Sequence, residues 1–123
     1  MRRLIVVLFL LVPMSAQADF RSSLIKLDPQ TRLEQVCDLE AMHKIAKDGK
    51  FKPDRAKSYV SHAPKLSGHT LTAKGAAFRS GGLWYELAFT CKGSADHMNV
   101  EQFNYRIGRI IPQSKWDALG LWR

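Results

Sequence analysis

Two cysteines, four histidines and a few surface-patterned side chains carry whatever chemistry this 123-residue chain could do. Cys37 and Cys91, in a chain that reads as exported to an oxidising compartment, are expected to form one disulfide. Closing that loop would stabilise the fold by about 4 kcal/mol on the chain-entropy account. Two free thiols are the competing assignment. His43, His62, His69 and His97 stand at no metal-ligand spacing with one another or with a cysteine. A metal site would need scattered imidazoles and carboxylates, and no cofactor is expected. Asp96 beside His97, with a remote serine, could be drawn as a hydrolytic triad, but sequence neighbours are badly placed for a carboxylate to orient an imidazole. Turn residues account for both more simply. With no nucleophile elbow, glycine-rich phosphate loop or close carboxylate pair, catalysis is not the favoured assignment, and a small periplasmic hydrolase is an alternative.

A binding surface is the sharper expectation. Trp84 and Glu86 alternate with an apolar set on one strand, and Asn104 and Arg106 do so on a later one. All four should project from the outer face of a sheet, where an exposed indole beside a guanidinium and an amide would form a platform for a sugar ring or a partner's side chains. An ordinary solvated face with a Glu86–Arg106 pair, or a Trp84 covered by the closing helix, accounts for the same residues without a ligand. Trp122 is expected to cap the core. Lys44, Lys47, Lys50, Lys52, Arg55 and Lys57 fall within fourteen positions and form a basic strip. Such a strip suits an acidic partner, although a solvated helix end also explains it.

The first residues bound the compartment. Met1-Arg2-Arg3, an unbroken apolar run from Leu4 to Val12, and small residues at Ala16 and Ala18 have the order of a cleaved secretory leader, residues 1–18, ahead of a single domain at 19–123. The apolar run is short for a bilayer span, so no integral membrane protein is expected after cleavage. The formal charge of +8 falls to about +6 once Arg2 and Arg3 leave. That excess favours an anionic envelope polymer or lipid surface, or an acidic envelope protein; export argues against nucleic acid.

These side chains need elements to position them. Asp28-Pro29 is a cap followed by a first-turn proline, and Leu33, Val36, Cys37, Ala41 and Ile45 recur at helical spacing until Gly49. A short lead-in, Phe20 to Leu27, is expected before it. Leu83 to Gly93 alternates with period two, placing Leu83, Tyr85, Leu87, Phe89 and Cys91 on one face. A weak strand is expected over Ala56 to His62, and a second over His69 to Arg79 with a bulge at Gly75. Ser80-Gly81-Gly82 makes a tight hairpin connection. A further strand runs from Met98 to Ile107, with a bulge near Glu101 and Gln102 and its end at Gly108. Ser114 should cap a short closing helix that stops at Gly120. The expected fold is α+β, one main N-terminal helix packed on a three- to four-stranded antiparallel meander, with a helix-to-sheet disulfide and a short C-terminal helix.

Leu27-Asp28-Pro29 with Arg32 to Met42, Phe51 to Arg55, Trp84-Tyr85 through Cys91, Asp96-His97, Tyr105 to Gly108, Ile111-Pro112 and Trp116 resemble a domain-of-unknown-function family of small exported proteins from alphaproteobacteria. The resemblance implies one periplasmic domain and carries no activity with it. A fainter likeness, at Phe89, Cys91 and Gly93, is to bacterial lysozyme inhibitors, with phenylalanine where those have tyrosine and the glycine one position early. A basic inhibitor would also be repelled by a cationic lysozyme. The expectation is thus a non-catalytic periplasmic binding module, with enzyme inhibition as a further alternative.

Overall fold

A computed structural model describes residues 15–123. Most of the expected leader, residues 1–14, lies outside them. Helix α1 spans Ser15–Ile25 and α2 spans Pro29–Lys47; strands β1 Pro53–Lys57, β2 Lys65–Ser67, β3 Thr70–Ser80, β4 Leu83–Gly93 and β5 Val100–Ile110 follow, then a 3-10 turn, Gln113–Lys115, and helix α3, Trp116–Leu119.

Helix α2 begins where its sequence demands. The Asp28 carboxylate accepts hydrogen bonds from the Thr31 amide at 3.0 Å and the Thr31 hydroxyl at 2.6 Å, and Pro29 needs no donor in the first turn. Those bonds hold the exposed Asp28 carboxyl below its ordinary range. Its buried stripe is Leu33, Val36, Cys37, Ala41 and Ile45. The lead-in is longer than expected, because α1 runs back to Ser15. It is fastened by Arg32, whose guanidinium donates to the carbonyls of Leu24, Ile25 and Leu27 at 2.9–3.0 Å and to Asp96 across the molecule at 2.9 Å. Three of those carbonyls lie at or just past the end of α1, where a helix leaves acceptors without partners.

The sheet is antiparallel in the order β1-β3-β4-β5, with β2 beside β3. Gly81 and Gly82, both at positive φ (58° and 75°), make the two-residue turn between β3 and β4 whose twist matches the strands. Both expected bulges occur. The pairing of β3 with β4 shifts between Ala73 and Ala76, around Gly75, and that of β4 with β5 shifts between Lys92 and Gly93, leaving Glu101 extra.

Three expectations are corrected and one short strand is added. The strand expected over Ala56–His62 instead covers Pro53–Lys57. The chain after it folds over the β3 bulge, where the Val60 and Ser61 amides both donate to the Gly75 carbonyl at 2.9 Å. Three-residue β2 was not anticipated, since so short a stretch shows no period. Gly108 does not end β5, which continues to Ile110. A Cβ at Gly108 would lie 2.9 Å from the Cβ of Glu86, so the glycine admits that side chain at a third register shift. Ser114 caps nothing; the closing helix starts from a 3-10 turn without a side-chain cap, and it does stop at Gly120, in the left-handed region at φ 69°.

The main core lies between α2 and one sheet face. Leu33, Cys37, Ala41 and Ile45 meet Leu71, Ala73, Ala76, Phe78, Leu87, Phe89 and Cys91. Cys37 and Cys91 form the helix-to-sheet disulfide, with Cα atoms 6.1 Å apart and both residues fully buried. Leu83 leaves this set, being exposed beside the hairpin turn. A second, smaller core lies on the opposite sheet face, where Ala77 and Trp84 meet Ile111, Trp116 and Leu121 from the C-terminal segment.

Candidate binding face

Helix α2 covers one face of the sheet and the C-terminal segment covers only the hairpin end of the other. Residues 60–62 lie against that face at the Gly75 bulge; what remains of it is open, and the register decides what stands there. Thr72 pairs with Thr90 and Thr90 with Asn104, giving a row of two hydroxyls and an amide across three strands. In the next row Ala88 pairs with Arg106 on one side and faces the Lys74–Gly75 bulge on the other. The small Ala88 between two long cations makes a trough. Two strand spacings separate the cation-bearing backbones, roughly 10 Å.

Thr72, Lys74, Ala88, Thr90, Asn104 and Arg106 line a shallow depression of about 430 Å³. A neighbouring hollow of about 280 Å³ adds His62 and Lys65, and a third, about 240 Å³, reaches Glu86 and Gly108. Among the described residues, Lys65, Lys74 and Arg106 have no ion-pair partner. The expected Glu86–Arg106 pair does not form. Glu86 sits at the β5 bulge, where its carboxylate accepts from the Arg109 amide at 3.4 Å. Arg106 is left free beside Lys74.

The four residues expected on this platform do not share one surface. Glu86, Asn104 and Arg106 are exposed on this face, whereas Trp84 is fully buried and offers no surface. Trp84 does point away from the main core, but Ile111, Trp116 and Leu121 close over it. Its indole N–H donates to the Trp122 carbonyl at 2.7 Å. Period-two alternation reports which face a side chain occupies and is silent about what a distant segment lays on that face. Trp122 is 46 % exposed, with its ring 5.5 Å from Trp84 and with Lys57 and Arg79 near it at 5.2 and 5.8 Å. It lies over Trp84 as a partial lid and does not seal the core.

The basic strip is present with one member removed. Lys44, Lys47, Lys50, Lys52 and Arg55 are exposed along the end of α2, the following loop and β1. Lys57 turns towards the C-terminal segment, donating to the Gly120 carbonyl at 3.4 Å. Lys44 stands 4.0 Å from Glu40, a weak exposed pair. Lys65 and Lys74, the cations nearest the trough, were missed because no local pattern joins them; the β2–β3 hairpin does.

The candidate catalytic groups do not assemble. His97 lies at φ 59° in the Ser94–Asn99 turn, its Nδ1 donating to the Pro29 carbonyl at 2.7 Å and its Nε2 2.9 Å from His69 Nδ1. Because the carbonyl can only accept, neutral His97 must carry its proton on Nδ1, and His69 donates to its Nε2. Asp96 turns elsewhere, accepting from the Ser94 hydroxyl and the Met98 amide, bonds that hold its exposed carboxyl below the ordinary range. Ser61 Oγ lies 2.9 Å from His62 Nδ1, but no carboxylate hydrogen-bonds to that imidazole. Among the described residues no three of His, Cys, Asp and Glu converge as metal donors, and no helix is long and apolar enough to cross a membrane.

A separate cleft of about 270 Å³ between α2 and β1 is lined by Glu34, Asp38, Lys57, Ser58 and Tyr59 among others. Asp38 Oδ1 is buried there without a hydrogen-bond partner. Burial pushes its carboxyl up to about 8; Ser58 and Lys57 pull the other way too weakly to offset it, and Ser58 makes no well-formed hydrogen bond to it.

A family-wide sequence profile described as Domain of Unknown Function (DUF930) matches residues 24–121. The chain belongs to the DUF930 family. The match takes in α2, the whole sheet and α3, so the disulfide, the trough and the C-terminal cover all lie within the DUF930 domain. No curated protein and no solved structure shows significant similarity to the chain.

Proposed function

We propose that this DUF930 domain is a non-catalytic binding module of the cell envelope, exported by the leader at residues 1–18, and that it lays a stretch of acidic polymer along the open face of its sheet. The observation that carries the proposal is the pair of unpartnered cations, Lys74 and Arg106, flanking Ala88 on three adjacent strands. Arginine offers a fork that matches carboxylate or phosphate, and lysine adds a point charge. Thr72, Thr90 and Asn104 supply neutral hydrogen-bonding groups in the adjoining row, as a ligand with both hydroxyls and acidic groups would need. The trough is open and shallow, which suits a chain passing over it better than a small molecule held inside. The net positive charge would draw such a chain in.

The test is binding to polygalacturonate, a polymer of uronic acids, at low and at raised salt, followed by calorimetry. Lys74→Glu with Arg106→Glu should weaken binding at least tenfold, and binding should fall as salt rises. Lys47→Glu, Lys50→Glu and Lys52→Glu together should change it little. Loss only in the second set would move the site to the basic strip, and no binding by the unaltered protein would remove the proposal.

A further inference from the structure

Among the described residues, strand β5 pairs with β4 alone, and its other edge carries unpaired backbone groups over a strand of eleven residues. Proteins commonly protect such an edge with proline, lysine or a very short strand. Between Val100 and Ile110 there is no proline and no lysine. The strand does carry arginines and two bulges, but both bulges lie near its ends, at Glu101 and around Gly108, and leave the middle regular.

The sequence of this edge complements itself. When β5 is laid antiparallel to a second β5 with Tyr105 on the two-fold axis, Glu101 stands opposite Arg109 of the other copy, at both ends of the seam. Val100 stands opposite Ile110, Phe103 opposite Ile107, and Asn104 opposite Arg106. Moving the axis one residue towards the C-terminus would instead set Arg106 against Arg106. Phe103, Tyr105 and Ile107 lie on the helix side of the sheet, where they are half-buried against the main core, and Ile110 is 50 % exposed. Pairing would cover the open flanks of all four. Opposite charges and apolar pairs facing across strands are what stabilise a sheet.

We infer that the partner of β5 is a second copy of this chain, joined edge to edge through antiparallel β5 strands into one continuous sheet. An isologous contact of this kind satisfies the exposed backbone groups and closes after two copies. Glu101 already stands 3.7 Å from Lys92 of its own chain, a pair about half exposed at each end, so its carboxylate remains open to a second cation. The two-fold axis crosses the sheet, and both troughs therefore face the same side. The dimer stands or falls separately from the ligand proposed above, since Glu101 and Arg109 do not line the trough.

The experiment is sedimentation of the full chain over a range of concentration. A strand-to-strand contact is small, so the expected dimer is weak, with Kd on the order of 0.1 mM or tighter. Glu101→Arg and Arg109→Glu should each weaken it at least tenfold, and the double variant, which reverses both charges, should restore it. Backbone amides of β5 should gain protection from hydrogen exchange as concentration rises. A chain that sediments as a monomer up to about 1 mM would overturn the proposal, as would a dimer indifferent to both single charge reversals.

Discussion

The indole N–H of Trp84 and the backbone carbonyl of Trp122, thirty-eight positions later, are joined by a 2.7 Å hydrogen bond in the part of the sheet that the C-terminal segment covers. That bond lies over a buried cluster built from Ala77, Trp84, Ile111, Trp116 and Leu121. The outer face of the sheet is therefore divided: its hairpin end is a second core, and its far part is open trough.

Trp84→Ala should destabilise the domain by about 3–5 kcal/mol, because it removes one of the two tryptophans of that cluster, the one that is fully buried. Trp84→Phe keeps most of the apolar area and loses the hydrogen bond, at a cost of about 1 kcal/mol more than the packing change. Urea unfolding measures both. A Trp84→Ala variant as stable as the parent would contradict the burial of this residue.

Reduction of Cys37–Cys91 should lower stability by about 4 kcal/mol, since the bond closes a loop of sequence separation 54 and restricts the unfolded chain. Urea midpoints with and without reductant give the difference. The disulfide also holds α2 against β4, so loss of the α2 helix signal should accompany the loss of stability.

Asp38 should set an unusual dependence on pH. In the folded chain its carboxyl keeps its proton up to about pH 8, whereas the unfolded chain releases it near 3.8. Its contribution is therefore fully present below about 3.8 and is lost as pH climbs towards 8. Asp38→Asn, which cannot ionise, should gain on the parent over that interval by on the order of a few kcal/mol. Asp28, Asp54 and Asp96 scarcely enter the comparison of pH 4 with pH 8, because their carboxyls are held low by hydrogen bonds and their contributions are lost only as pH falls below about 3.8. An equal gap at the two values would count against a buried, protonated Asp38.

Arg32→Lys should cost about 1.5–3 kcal/mol despite keeping the charge. An ammonium cannot reach the four carbonyls that the guanidinium fork serves at once. Hydrogen exchange should show the loss first in α1 and in the turn around Asp96.

How much of this was legible in the sequence follows from how local each signal was. The α2 cap at Asp28-Pro29, its buried stripe, the Gly81-Gly82 turn and the Gly75 bulge all depend on residues within a few positions of one another, and each was found. The disulfide could be anticipated because both cysteines independently pointed inward. Lys74 and Arg106 come from different strands, and only the bulge and the register bring them around one trough, with Lys65 in the adjoining hollow. The mistake at Trp84 has the same origin, since its covering residues arrive from Ile111, Trp116 and Leu121.

The long elements, most of their inward faces and the excess of positive charge could be read from the residues, because helical and strand periods and capping bonds act over short stretches of chain. Which outward face stays open, which of the described cations remain unpaired and which edge is free are set by the packed fold. Those depend on where distant segments come to rest, through contacts that no local period encodes.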